Sequence, residues 1–385
     1  MENKKFIIFM LIFLAIIMMS SYISSSFTTS QNFAIAEGQT SAKSAIVIEA
    51  KTGRVLFEKN KDEKLAMAST TKIMTALIAC ENTTNFDEIV EVNDSAVGIE
   101  GTSMYLRKGE KLTIKELLYG LMLPSGNDAA VALAYHFGGT EEKFVEMMNE
   151  KAKALNLKNT HFANPHGLDA KGHYTSAHDL AIITAEALKN ETFKEISSTK
   201  NITITGSKIN EPRFLFNKNK LLKTLEGCNG VKTGFTDNAQ RCFVCSCERD
   251  GMTLISVVLN CGPMFEESAS LMNSAFEKYK MREILPEYSV GEKIKIENGE
   301  KDYVQTATKK DFSYPLSDEE YRNINIIRNA PDFLEAPAHK DKEVGEIEIY
   351  LNKDLIFKEK IYTMENVKSI KYLDKIWEIV DEWNI

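Results

Sequence analysis

The 385-residue chain is poor in the residues that break or loosen structure, with 8 prolines and 20 glycines. That scarcity excludes a collagenous or low-complexity polypeptide. It also lacks an excess of positive charge. Its 47 Lys and Arg face 55 Asp and Glu, a formal net charge of -8, so it carries no electrostatic footprint for nucleic acid. A long membrane-spanning run is missing too: the apolar stretch from Phe6 to Met19 falls short of the ~20 residues a spanning helix needs. What is present, 43% hydrophobic and 26% charged residues, suits an ordered protein of two or three domains, each with its own core.

Lys4 and Lys5 precede that apolar stretch, and Ala34-Ile35-Ala36 follows with small residues where a signal peptidase reads. Residues 1–36 therefore read as a secretory signal, with an uncleaved anchor as the other reading. Without them the chain is exported and carries a net charge of -9, since Lys4, Lys5 and Glu2 are gone. Export makes Cys80, Cys228, Cys242, Cys245, Cys247 and Cys261 candidates for disulfides, but their pairing is not readable from sequence. Cys242-x-x-Cys245-x-Cys247 invites a zinc reading. Alternation along a strand, with Phe243, Cys245 and Cys247 on one face, is simpler and makes them small buried hydrophobes. No metal is expected.

Ser44–Glu49 and Arg54–Glu58 read as a strand hairpin across Ala50-Lys51-Thr52-Gly53. From Ser69 the apolar period becomes helical, and further helices are expected at 114–122, 127–137, 141–155 and 176–189. Strands return at 242–247 and 253–259, then a helix at 265–279. This is an α+β pattern. From about residue 284, short alternating segments such as Lys293-Ile294-Lys295-Ile296 predict a small β-rich domain spanning 284–365. In residues 366–385, Ile370, Leu373, Ile376, Trp377, Val380 and Trp383 share one helical face. This helix reads either as an interfacial membrane anchor or as a terminal helix docked on its own domain.

Three stretches carry chemistry. Ser69-Thr70-Thr71-Lys72 places a hydroxyl at a helix start and an amine one turn later. A serine alcohol is inert near neutrality unless a base accepts its proton, and a lysine of lowered pKa can do so. Ser125-Gly126-Asn127 follows in a tight turn, where Ser125 is a candidate proton relay and Asn127 a positioning residue; as helix caps both would be unremarkable. Lys232-Thr233-Gly234-Phe235 then precedes a strand. There Lys232 brings charge for a carboxylate, Thr233 a hydroxyl, Gly234 room for a substrate backbone, and Phe235 an oxyanion-hole N–H alongside that of Ser69. Lys51-Thr52-Gly53 repeats the last motif's letters in a hairpin turn, ahead of the serine.

Order and spacing join these signals: Ser125 lies 56 residues after Ser69, and Lys232 lies 107 after Ser125. The set S-x-x-K, S-x-N, K-T-G is that of serine β-lactamases and penicillin-binding proteins. The chain resembles the low-molecular-mass penicillin-binding proteins that act as serine D-alanyl-D-alanine carboxypeptidases (peptidase family S11). The stretches 48–53, 67–72, 164–169 and 232–236 are all similar to that family.

The resemblance implies a penicillin-binding, β-lactamase-like transpeptidase domain over 37–283, followed by the β-rich domain and the amphipathic helix. It also implies that the enzyme removes the terminal D-alanine from peptidoglycan stem peptides through an acyl-enzyme on Ser69, with Lys72 as base and no cofactor. Ser125 and Asn127 would then be the relay and positioning residues, and Lys232 and Thr233 would bind the terminal carboxylate. β-Lactams are implied as covalent inhibitors, and the outer face of the cytoplasmic membrane or the wall space as location. Lys218 matches a basic residue that relatives use for the carboxylate. Gln240 stands where relatives have glycine, and His178 where many have tyrosine. The resemblance places His161, His166, His173 and His178 in a structural loop. A β-lactamase is the nearest rival, with Glu146 close in sequence to a water-activating position but wrongly spaced. A non-hydrolytic peptidoglycan-binding or β-lactam-sensing protein is the third reading.

Overall fold

The computed structural model describes residues 40–205, 212–289 and 291–370, together with Ile376 and Val380. The expected signal at 1–36 lies outside the described residues, as do residues 371–375, 377–379 and 381–385 of the expected helix at 366–385. Residues 366–370 are not helical as expected: Val367 bridges Ala338 and Ser369 bridges Gly299, so this stretch belongs to the β-rich region, whereas Ile376 and Val380 are helical. No described helix is long and apolar enough to cross a membrane.

Five antiparallel strands form the central sheet: β1 (Ser44–Glu49), β2 (Val55–Lys59), β3 (Cys228–Thr236), β4 (Gln240–Arg249) and β5 (Met252–Leu259), in spatial order β2-β1-β5-β4-β3. Strands that are buried along almost their whole length must be covered on both faces. Accordingly, Cys242, Val244, Ile255, Val257 and Leu259 enter the main core with Ile46 and Ile48, while the alternate residues Phe243, Cys245 and Leu254 are equally buried outside it. The main core is filled by α1 (Lys72–Glu81), α2 (Ile114–Met122), α3 (Asn127–Gly138), α4 (Glu141–Ala154), α5 (Ala177–Ala187) and α6 (Glu191–Ser198). Helix α7 (Met264–Lys278) packs on β4 and β5, with Phe265 edge-on to Phe243 at 5.0 Å between ring centroids.

The expected elements are present with small shifts. The helix read from Ser69 starts instead as a 3-10 turn over Ala68–Thr71, and α1 proper begins at Lys72. Two short pairings have no counterpart in the sequence reading: Ile89–Glu91 with Lys111–Thr113, and Asn201–Ile204 with Arg213–Phe216. Strands of three or four residues are too short to display a period.

Beyond α7 the chain is β-rich. Lys280–Leu285 pairs with Phe312–Leu316, and a four-stranded sheet is built on the long hairpin Glu343–Leu351 and Asp354–Thr363. Small cores form around Ile294, Ile296, Val304 and Ile361, and around Leu285, Phe312 and Ile349. Arg54, at the start of β2, ties this region to the central sheet. It donates to Pro315 O, pairs with Glu320, and lies over the Tyr279 and Tyr314 rings.

Candidate active site

The turn carrying Ser69 is held in an unusual shape. Ala68 adopts φ +48°, a region that costs a residue with a Cβ about 1–2 kcal/mol. Its carbonyl accepts from Thr71 Oγ1 at 2.8 Å, and Thr71 Oγ1 is 2.8 Å from His173 Nε2. His173 Nδ1 accepts from Ala163 N, so the ring proton sits on Nε2 and is donated to Thr71. Burial keeps that imidazole neutral, its pKa pushed down to about 4. Two glycines permit the turn to be gripped. A Cβ on Gly167 would lie 2.0 Å from Ala68 O, and one on Gly234 would lie 3.1 Å from Met67 O and from the Ser69 and Thr70 nitrogens. The loop after α4 and strand β3 thus both close on the serine.

Lys72 is wholly buried, and its Nζ lies 3.0 Å from Ser69 Oγ, 2.6 Å from Asn127 Oδ1 and 2.5 Å from His166 O. Burial above all, then the Lys232 and Lys218 ammoniums, hold this amine well below the ordinary lysine range, against a weaker opposing pull from Asp128. Nζ thus faces three acceptors; once the amine is neutral, two N–H bonds serve Asn127 and His166 and the lone pair turns to the Ser69 hydroxyl. Asn127 is itself fixed, donating Nδ2 to Glu100 O at 2.6 Å and its backbone N–H to Thr102 O at 2.7 Å.

Ser125 is also buried but unpartnered at Oγ, and it adopts φ +71°. A helix cap would show a side-chain bond to the first turn of α3, yet the cap position is Gly126 and no such bond exists. An orphaned hydroxyl on a strained backbone points to function rather than support. Asp128, next along, accepts from the backbone of Met104 and Leu106 and from Ser103 Oγ, and so pins the loop over the cleft.

On the opposite wall, β3 is the edge strand of the sheet, and its outer side has no strand partner among the described residues. Its Lys232 is 1% exposed, with a pKa lowered to about 7 by burial and by Lys218. Ser69, Ser125, Asn127, Thr233, Gly234 and Phe235 line a cleft of about 530 Å³, together with Lys218, Lys220 and Arg241 but no carboxylate among the described residues. Such a site suits an anionic ligand end.

The structure therefore brings all eight sequence-predicted residues to one place. Lys218 joins them, whereas His178 sits against Asp62 and Gln240 opens β4 opposite Thr236, just after the β3–β4 turn. Gln240 takes φ +57°, a conformation that glycine adopts without strain. Lys51-Thr52-Gly53 lies in the β1–β2 turn around the Glu49 carboxylate, away from the cleft. Glu146 is exposed on α4 and does not line the cleft either. Sequence reasoning missed Asp128, His173 and the His166 carbonyl. A carbonyl has no sequence signal, and the other two act through distant backbone.

The comparisons agree with this geometry. The family model described as D-alanyl-D-alanine carboxypeptidase matches residues 27–262, and the model of the penicillin-binding protein 5 C-terminal domain matches 279–369. The chain is 32% identical over 375 residues to the D-alanyl-D-alanine carboxypeptidase DacF of Bacillus subtilis, covering 95% of this chain and 96% of that protein. It is also 32% identical to DacC of Escherichia coli, covering 88% and 87%. Penicillin-binding protein 5 of Haemophilus influenzae superposes with a TM-score of 0.73 at 28% identity, over 87% of this chain and 100% of that one. A serine whose alcohol meets a buried lysine beside a cationic strand edge is thus found in a chain that matches such proteins nearly end to end: it belongs to the serine D-alanyl-D-alanine carboxypeptidase family, the low-molecular-mass penicillin-binding proteins.

Proposed function

We propose that Ser69 is the nucleophile that releases the terminal D-alanine from peptidoglycan stem peptides, with Lys72 as its base. The observation that carries this reading is the 3.0 Å contact between Lys72 Nζ and Ser69 Oγ at an amine whose pKa burial and neighbouring lysines lower well below the ordinary range. The Ser69 proton passes to the Lys72 lone pair as Oγ attacks the penultimate carbonyl carbon. Backbone N–H groups of Ser69 and Phe235 receive the developing oxyanion. The proton taken up by Lys72 is passed through Ser125 to the leaving amine, the C–N bond breaks, and D-alanine departs, leaving an ester on Ser69 that water hydrolyses. Asn127 holds Lys72 and the peptide, while Lys232 and Thr233 bind the terminal carboxylate. A β-lactam enters by the same attack on its strained amide.

In this reading residues 37–283 are the catalytic domain and 284–365 the β-rich domain. The residues beyond 370, with Ile376 and Val380 helical, form an amphipathic helix that holds the exported enzyme at the outer face of the cytoplasmic membrane.

Incubation of the mature protein with muropeptides, with products weighed by mass spectrometry, tests the chemistry. The wild type removes one D-alanine and forms a covalent penicillin adduct; Ser69→Ala does neither. D-Alanine release that persists in Ser69→Ala removes the assignment. Truncation of 366–385 is expected to free the protein from membranes with its activity intact.

A further inference from the structure

Away from the cleft, three of the six cysteines converge. Cys228 opens β3, and Cys245 and Cys247 lie two apart on β4, with Cys228 directly opposite Cys247 in the register. Their Sγ atoms all lie within 4.8 Å of one another, at 3.8 Å for Cys228–Cys245 and 3.9 Å for Cys245–Cys247. Among the described residues this is the one group of three or more Cys, His, Asp or Glu side chains whose ligand atoms come together in this way. Cys242, which the spacing of the motif suggested as a partner, belongs to the opposite face and packs in the main core.

Three thiols at mutual contact are poorly served as a hydrogen-bonded group, because S–H is a weak donor and S a weak acceptor. Around a d10 cation with metal–sulfur bonds of ~2.3 Å, the sulfurs of neighbouring ligands stand roughly 3.8–4.0 Å apart. The 3.8 and 3.9 Å separations match that spacing. The surroundings suit a metal thiolate as well. Asn219 Nδ2, 3.9 Å from Cys228 Sγ, is a donor aimed at sulfur. The Arg249 guanidinium, two residues beyond Cys247 on the same strand, lies over the Phe276 ring and donates to Glu226 O and Asn273 Oδ1. No oxygen ligand takes part, which selects for a soft ion. Cys245 and Cys247 are fully buried, whereas Cys228 is half-buried and leaves one side open for entry.

We infer that Cys228, Cys245 and Cys247 form a binding site for one thiophilic divalent d10 cation, of the class of zinc and cadmium. Loading exchanges three S–H bonds for three metal–sulfur bonds, and three protons leave to solvent. No electron transfer is involved. The site ties the first residue of β3 to β4, four positions before Lys232, and stands independently of the hydrolytic reading.

The test is an anaerobic titration of the reduced full-length protein with Cd(II), followed by the ultraviolet sulfur-to-cadmium charge-transfer band. The band is expected to saturate at one equivalent and to be bleached by competing Zn(II) that displaces cadmium. Cys228→Ser should weaken binding on the order of 100-fold or more, and Cys80→Ser should leave it unchanged. Cys245→Ser should also abolish the band; because it alters a buried core position, Cys228→Ser at the half-buried strand start is the deciding variant. Absence of the band, its survival in Cys228→Ser, or a reduced-thiol count showing that two of the three are already joined as a disulfide in freshly isolated protein would each overturn the inference.

Discussion

At the scale of single residues, the cleft holds groups that the folded chain carries at a cost. Ser125 combines a positive φ with a buried hydroxyl that bonds to nothing in the protein. Ser125→Gly should therefore stabilise the fold by about 1 kcal/mol, read by chemical denaturation, because glycine adopts that conformation freely. The same change should slow turnover on the order of 100-fold or more, since the relay hydroxyl is lost. Lys232 makes a second case. Its folded pKa of about 7 lies below the ordinary value of 10.5, so between these the unfolded chain binds more protons and stability rises with pH. Lys232→Met should flatten that rise. In catalysis the sign differs for each lysine: Lys72 must be unprotonated to accept the serine proton, whereas Lys232 must be protonated to hold a carboxylate. The kcat/KM profile of the free enzyme is thus expected to fall above about pH 7. Lys232→Arg, always charged, should move that falling limb out of the accessible range.

At the scale of elements, the serine's turn depends on a loop that sequence alone marks only as similar to a family stretch. Gly167, at φ +92°, has no room for a methyl group against Ala68 O. Gly167→Ala should cost about 3 kcal/mol or more and should also slow penicillin acylation, as measured by adduct formation against time. Ser69, Lys72, Ser125, Asn127 and Lys232 were legible because the chemistry calls for those residue types and their order and spacing match the motif set of a known family. The helices of the core were legible because their apolar residues recur with helical period. Asp128 and His173 were not, since both work by holding backbone groups of segments remote in sequence, Met104 and Leu106 in one case and Ala163 in the other. The short strand pairs 89–91 with 111–113 and 201–204 with 213–216 escaped for want of length. The cysteine trio escaped because Cys228 lies 17 residues before Cys245 and meets it only through the β3–β4 pairing.

At the scale of the whole molecule, Arg54 is the chief tie between the central sheet and the β-rich region. It and Glu320 are both mostly shielded, with side chains 12% exposed, and the guanidinium also lies over two tyrosines. Arg54→Ala leaves Glu320 without its partner and should cost about 3 kcal/mol. Calorimetry is expected to show the single unfolding transition broaden or split, while D-alanine release below the transition stays close to normal because Arg54 is remote from Ser69 and its cleft. The β-rich region thus occupies the β2 end of the sheet and leaves the outer edge of β3 without a strand partner among the described residues. An extended peptide laid along that margin would be read through its main chain rather than its side chains, so variation along the stem should be tolerated and discrimination concentrated at the tail.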